Sequence, residues 1–155
     1  MADENTENVI FREAEQADVP AIIDLLLDDE LGSTRETDDM TVYYAAFERM
    51  RVEGGNSIIV GELDGTVIAT YQLTLISGLS LRATRRAQLE SVRVSSKLRN
   101  QRIGEAMIAD AERRARDTGC TLLQLTMNQT RVNAHRFYER VGFVNSHFGF
   151  KKELE

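Results

Sequence analysis

Among its 155 residues the chain has one cysteine, one proline, two histidines and no tryptophan. A single thiol cannot close an internal disulfide. Cys120 heads an apolar stretch and reads as a small buried hydrophobe rather than a nucleophile. His135 and His147 lack ligand spacing with each other or with Cys120, so no metal site is recognisable. No apolar run approaches the roughly 20 residues that span a bilayer. Residues 1–8 are acidic and polar, the opposite of a secretion signal. The expected setting is the cytoplasm, with no membrane partner. Basic residues are outnumbered 19 to 25, and a net charge of −6 argues against nucleic acid as a partner.

What is present is ordinary for one globular domain: 42% hydrophobic and 28% charged residues. A chain of this length buries about two-thirds of its unfolded surface without staples. We expect a flexible tail over residues 1–8 and a single domain over 9–155. The charges are segregated. Residues 28–39 hold six acids and one base, and residues 81–102 hold seven bases and one acid, Glu90. Such blocks are commonly solvated faces. The sharper reading matches the basic block to an anionic donor and the acidic one, from Asp28, Asp29 and Glu30 onward, to a cationic acceptor.

Hydrophobic spacing predicts a strand over 9–13 and a helix that starts at Asp18–Pro20 and runs to about Leu31. A loop over 33–40 and a helix over 41–52 follow. Strands over 57–63 and 66–75 are joined by Asp64-Gly65, a hairpin signal, and another strand covers 87–95. Ile103, Met107, Ala111 and Ala115 recur every four residues, marking a helix over 103–116. A strand over 120–128, a helix over 133–141 and extended chain over 143–154 complete the order β-α-α-β-β-β-α-β-α-β. This is an α/β chain with a mixed sheet and helices on both faces.

The most informative stretch is 88–104. A short β-branched run feeds a basic turn, and the turn feeds the start of an amphipathic helix. Free N–H groups and the helix dipole favour an anion there, and Arg99 and Arg102 add two cations. This is a phosphate-binding device. Gly104 is the only glycine in it, which excludes a P-loop and a dinucleotide fingerprint.

Arg99-Asn100-Gln101-Arg102-Ile103-Gly104 resembles the Arg/Gln-x-x-Gly-x-Gly/Ala motif of GNAT-type N-acetyltransferases, which cradles the pyrophosphate of acetyl-CoA. Val92-Arg93-Val94 is similar to the family's fourth strand, whose backbone pairs with the pantetheine arm. Residues 133–143, from Asn133 through Tyr138 to Gly142-Phe143, resemble its next signature. The resemblance implies the GNAT-like acyl-CoA N-acyltransferase fold, with splayed fourth and fifth strands and acetyl-CoA between them. It implies a single N-acetyltransferase domain that acts on a small-molecule or peptide amine. Homodimers are common in the family, though no feature of this sequence specifies one. Arg102 departs from the motif, standing where its first glycine sits. If Arg102 lies in the first helical turn, its N–H needs no glycine.

Acetyl transfer from a thioester to an amine is a matter of placement and proton management, and requires neither metal nor nucleophile. The resemblance places Tyr138 opposite the thioester sulfur as general acid. A phenol with a pKa of about 10 stays protonated at neutral pH and can donate to a departing thiolate. Phe137 and Val141 form an apolar stripe that turns Tyr138 to the helix's other side, with Ala134. Strand alternation puts Glu90 on one face with Val92 and Val94, where its carboxylate could take the ammonium proton through a water. Glu90 could equally be a charge partner for Arg82, Arg85 or Arg86. Asn133 resembles the family's pantetheine-binding asparagine and is also a candidate helix cap. Arg131 could reach a phosphate but reads better as solvated, and one of Tyr43 and Tyr44 as core. The rival reading is a non-catalytic acyl-CoA sensor or partner-binding domain on the same fold. Transfer to an alcohol, or of a longer acyl chain, remains open.

Overall fold

The computed structural model describes residues 4–29 and 31–155. Four antiparallel neighbours, β1 (Ile10–Glu13), β2 (Asn56–Leu63), β3 (Thr66–Ile76) and β4 (Arg86–Val94), form a meander, and β5 (Leu122–Leu125) pairs with β4 in parallel. The β2–β3 turn is Asp64-Gly65, with φ of 50° and 77°. Both central residues are left-handed, which matches the twist of the flanking strands. The helices are α1 (Val19–Leu27), α2 (Met40–Glu53), α3 (Ile103–Asp117) and α4 (Val132–Arg140).

The expected four-residue repeat on α3 is the core. Ile103, Met107, Ile108, Ala111 and Ala115 are buried against Ile59, Ala69, Tyr71, Leu73, Ala87 and Leu89 on one face of the sheet. α1 covers the other face through Val19, Ile22, Ile23 and Leu25. Cys120 is a buried free thiol. No helix among the described residues is long and apolar enough to cross a membrane.

Three expectations are corrected. α1 stops at Leu27 rather than near Leu31, because Asp28 leaves helical geometry (ψ 32°) and turns its carboxylate toward β4. β5 is four residues long rather than nine. The Cys120 N–H bonds the Ala115 carbonyl to close α3, and Asn128 folds back on Thr130 in an Asx turn. Residues 143–155 form no strand, so the tenth element of the expected order is missing. That segment passes Gly149 beside Thr126, beyond the end of β5, where no strand remains to pair with. At the other end, residues Glu4–Glu7 form one helical turn, and Thr6 donates a hydrogen bond to the Gln101 carbonyl.

Candidate active site

β4 and β5 pair only from Arg86–Leu122 to Leu89–Leu125. β4 continues to Val94, so residues 90–94 have an edge without a β5 partner. The ladder ends at that point, where the resemblance implies that the two strands splay to form a wedge for the donor. Val92 and Val94 lie along it.

β4 carries a bulge inside this segment. Glu90 pairs with Gln72, Arg93 with Thr70 and Val94 with Ala69, so Ser91 and Val92 together face the single residue Tyr71. Ser91 takes up the extra residue in left-handed geometry (φ 52°). An extra residue resets the two-residue alternation. Val92 and Val94 therefore pack with Ala87 and Leu89 on the α3 face. Glu90, one residue past Leu89, points to the α1 face, where Ser91 and Gln72 line a small cavity with Ile22 and Leu26. The expected common face for Glu90, Val92 and Val94 is corrected: Glu90 and Arg93 share the other side. Glu90 is exposed and accepts a 3.3 Å hydrogen bond from Gln88. Among the described residues it has no ion pair, and Arg86 instead contacts Gln124.

Beyond β4, Ser96–Leu98 form a 3-10 turn, and Arg99, Asn100, Gln101 and Arg102 lead into α3. Arg102 is the N-cap residue, with φ 59° and ψ 9°. The expectation that it lies in the first helical turn is corrected. A left-handed backbone at this position suits glycine, which gives a physical reason for the glycine in the resembled motif. Gly104 has a different reason. A Cβ there would lie 3.1 Å from Cζ of Phe137, so the missing side chain lets α4 approach the start of α3. Ile103, between them, is buried and anchors the turn.

α4 brings Tyr138 to the wedge. Its ring meets Phe137 edge to face at 5.2 Å and Phe143 at 5.7 Å. Phe137, Tyr138 and Val141 all pack against the same core, so the expected division of Phe137 and Tyr138 between opposite faces is corrected. A short helix with α3 on one side and the returning chain at Phe143 on the other can bury more than one stripe. Burial raises the Tyr138 pKa, and the charges of Arg93 and Arg131 oppose that rise without cancelling it. The phenol stays protonated at neutral pH. Asn133 is the second residue of α4, exposed, and does not cap the helix: the N-cap is Arg131, without a side-chain cap bond.

Several acids of the acidic block are tied to partners in the fold. Asp28 accepts hydrogen bonds from Ser96 N (2.7 Å) and Oγ (2.9 Å), and its carbonyl accepts one from Arg99 (3.1 Å). The Ser96 bonds hold its carboxyl below the usual range. Asp29 pairs with Arg93 at 3.4 Å and with Arg131. Glu36 accepts from the Tyr43 hydroxyl, and Asp39 caps α2 through the Thr41 N–H. Asp28 is therefore hydrogen-bonded to the turn after β4 and Asp29 is ion-paired, while Glu30 lies outside the described residues. Arg131 is an ion-pair partner rather than a solvated cation. Asp28 and Asp29 line an open cleft of about 570 Å³ with Leu27, Ser33, Ser96 and Arg99. Sequence reasoning placed Asp29 in the acidic block but missed its partners, which lie 64 and 102 residues along the chain.

Comparison with known proteins agrees with this geometry. A family model described as acetyltransferase (GNAT) family matches residues 19–143. An aminoalkylphosphonate N-acetyltransferase from Salmonella typhimurium is 42% identical over 67 residues, which are 43% of this chain and 44% of that protein. The chain thus spans less than half the length of that relative. Two solved structures match nearly end to end. A transcriptional regulator from Bacillus halodurans C-125 has 36% identity and a TM-score of 0.88, covering 94% of this chain and 99% of its own. An acetyltransferase described as such for Agrobacterium tumefaciens C58 has 25% identity and a TM-score of 0.84, with the same coverage. With the β4–β5 ladder ending at Leu89, the basic turn and the tyrosine in place, and the family model matching most of its length, the chain belongs to the GNAT acetyltransferase family.

Proposed function

We propose that the protein is an N-acetyltransferase that moves an acetyl group from acetyl-CoA to a primary amine by direct transfer in a ternary complex. The observation that carries this reading is the unpaired edge of β4 over residues 90–94, which opens beside Tyr138 and leads into the basic turn before α3. The parts fit the donor. The edge of β4 at Val92, Arg93 and Val94 that faces away from β3 is where a pantetheine arm would pair, with the Val92 carbonyl already accepting a hydrogen bond from Arg93. The N–H groups of Ile103 and Gly104, with Arg99, Asn100, Gln101 and Arg102, form an anion-binding helix start. The exposed Asn133 amide is free to meet a pantetheine amide.

In the step itself the amine nitrogen bonds to the acetyl carbon and the C–S bond breaks. Glu90 takes the ammonium proton beforehand, through water. Tyr138 donates its proton to the departing sulfur and regains one from the nitrogen. The balance is amine plus acetyl-CoA to amide plus CoA. The Salmonella relative is named for an aminoalkylphosphonate acceptor, and of that name only the amine is carried over here.

Thiol release with both substrates varied tests the reading. Intersecting initial-velocity lines are expected, because no covalent acetyl-enzyme is formed. Parallel lines would replace direct transfer by a covalent route. Saturable acetyl-CoA binding without amine-dependent thiol release would make the protein a sensor.

Two variants probe the turn. Arg102→Gly is expected to stabilise the fold by about 1 kcal/mol, since glycine adopts φ 59° without the strain of an L side chain. Acetyl-CoA affinity should stay within about tenfold, because the helix-start N–H groups remain. Thermal unfolding and calorimetry measure the two effects, and a loss beyond about 100-fold would mean that the Arg102 side chain itself clasps a phosphate. Asp28→Asn should raise the KM for acetyl-CoA about 3–10-fold and leave the amine KM within about twofold, since it loosens the Ser96–Arg99 segment at the cost of a charged hydrogen bond. A change in the amine KM alone would return Asp28 to the acceptor side.

A further inference from the structure

A row of polar side chains runs up to Glu90 on the α1 face of the sheet, and the chemistry proposed above leaves it unused. Arg86, Gln88 and Glu90 are two residues apart on β4 and share that face. Gln124 of β5 stands directly opposite Gln88 in the parallel ladder, and both are half-buried. Arg86 Nη1 donates to Gln124 Oε1 at 3.4 Å, and Gln124 Nε2 donates to Gln88 Oε1 at 2.9 Å. Gln88 Nε2 then donates to Glu90 Oε1 at 3.3 Å. Two amides thus join a guanidinium to a carboxylate. Among the described residues Arg86 has no carboxylate partner, and the second oxygen of Glu90 has no partner at all.

The direction of this chain is forced from both ends. A guanidinium has only donors, and an ionised carboxylate has only acceptors. Gln88 must turn its NH2 group to Glu90, which turns its carbonyl to Gln124 and the Gln124 carbonyl to Arg86. Turning over either amide sets donor against donor at one contact and acceptor against acceptor at the other. The aligned amide dipoles polarise one another toward the carboxylate. The two end bonds are long, as catalytic hydrogen bonds often are before substrate binds. Glu90 is exposed, and an exposed glutamate turns freely unless something holds it. A general base has to stand within hydrogen-bond reach of the proton, directly or through one water. We infer that Gln88 and Gln124, braced by Arg86, are positioning residues for the base: they hold Oε1 of Glu90 and leave Oε2 for the water that takes the ammonium proton. Neither amide titrates, so the chain orients Glu90 and relays no proton. The inference rests on the acetyltransferase reading with Glu90 as its base.

The test is a double-mutant cycle on thiol release, run with the best-used amine among ethylamine, glucosamine, spermidine and 2-aminoethylphosphonate. Glu90→Gln should lower kcat about 100-fold or more, the span for a general base. Gln88→Met, which keeps the length of the side chain and removes its amide, should lower kcat about tenfold, as losing a hydrogen bond to a charged group does. Gln124→Met should lower it about threefold, because it acts on Glu90 only through Gln88. The KM values for acetyl-CoA and for the amine should stay within about threefold in both methionine variants. In the Glu90→Gln background either methionine substitution should change kcat by less than about twofold, since the group it positions is gone. A structural role gives the same loss in both backgrounds, and that result overturns the inference. A rise in the amine KM with kcat unchanged would make Gln88 an acceptor contact and also overturn it. Unchanged kcat in Glu90→Gln overturns it as well and leaves amine acetylation standing on another base. Turnover of no amine by the wild type removes the acetyltransferase reading and this inference with it.

Discussion

Tyr138→Phe is expected to leave acetyl-CoA affinity near the wild-type value and to lower kcat by about 10²–10⁴-fold, the span for removing a positioned general acid. Phenylalanine keeps the edge-to-face contacts with Phe137 and Phe143, so the packing of α4 survives. The hydroxyl alone is lost, and with it the proton for the departing sulfur. Burial raises the phenol pKa, with Arg93 and Arg131 opposing. In the wild type kcat should therefore hold up to the ordinary phenol pKa of about 10. Steady-state kinetics with calorimetric binding separates the two effects. Unchanged kcat would make Tyr138 a packing residue.

Asp110→Ala is expected to cost about 2–4 kcal/mol of stability and about 5–15 °C in Tm. Tyr71 is 1% exposed, and its hydroxyl donates to Asp110 at 2.6 Å. Asp110 also accepts from Arg114 Nε at 2.7 Å and from Arg113 at 2.6 Å, and Arg114 reaches the Phe11 carbonyl at 3.0 Å. The network ties α3 to β1 and β3. Alanine leaves a buried phenol without an acceptor and a half-buried guanidinium without its counter-charge. Tyr71→Phe added to Asp110→Ala should recover part of the loss, since a missing pair costs less than an orphaned partner. Burial alone would raise the Asp110 pKa, but the hydrogen bonds from Tyr71, Arg114 and Arg113 outweigh it and lower it. Its stabilisation is therefore complete above the ordinary carboxylate range and lost as pH falls through the depressed folded value. Thermal melts against pH should show a shallower acid-side decline in the variant than in the wild type. Identical declines would remove Asp110 as a contributor.

Local patterns in the sequence carried most of the fold. The four-residue repeat from Ile103 to Ala115 and the Asp64-Gly65 turn are set by neighbours along the chain, and both are as expected. The basic turn before α3 is legible for the same reason, whereas Tyr138 on α4 is singled out only by the resemblance to the family. The bulge at Ser91 is not, because a two-residue alternation has no mark for an extra residue, and it moves Glu90 to the other face. The left-handed Arg102 is equally hidden, since the glycine that would announce it is absent. Above all, the acidic and basic blocks are separate in sequence and joined in space, Asp28 to Ser96 and Asp29 to Arg93 and Arg131. Ion pairs between distant segments depend on how α1 ends and where α4 begins, which no local window contains.

Calorimetric titration of the protein with acetyl-CoA tests the central claim most directly. The wedge between β4 and β5 and the turn before α3 predict saturable binding at a single site, weakened as salt is raised because part of the affinity is charge on the CoA phosphates. No saturable heat up to high micromolar acetyl-CoA would contradict the account.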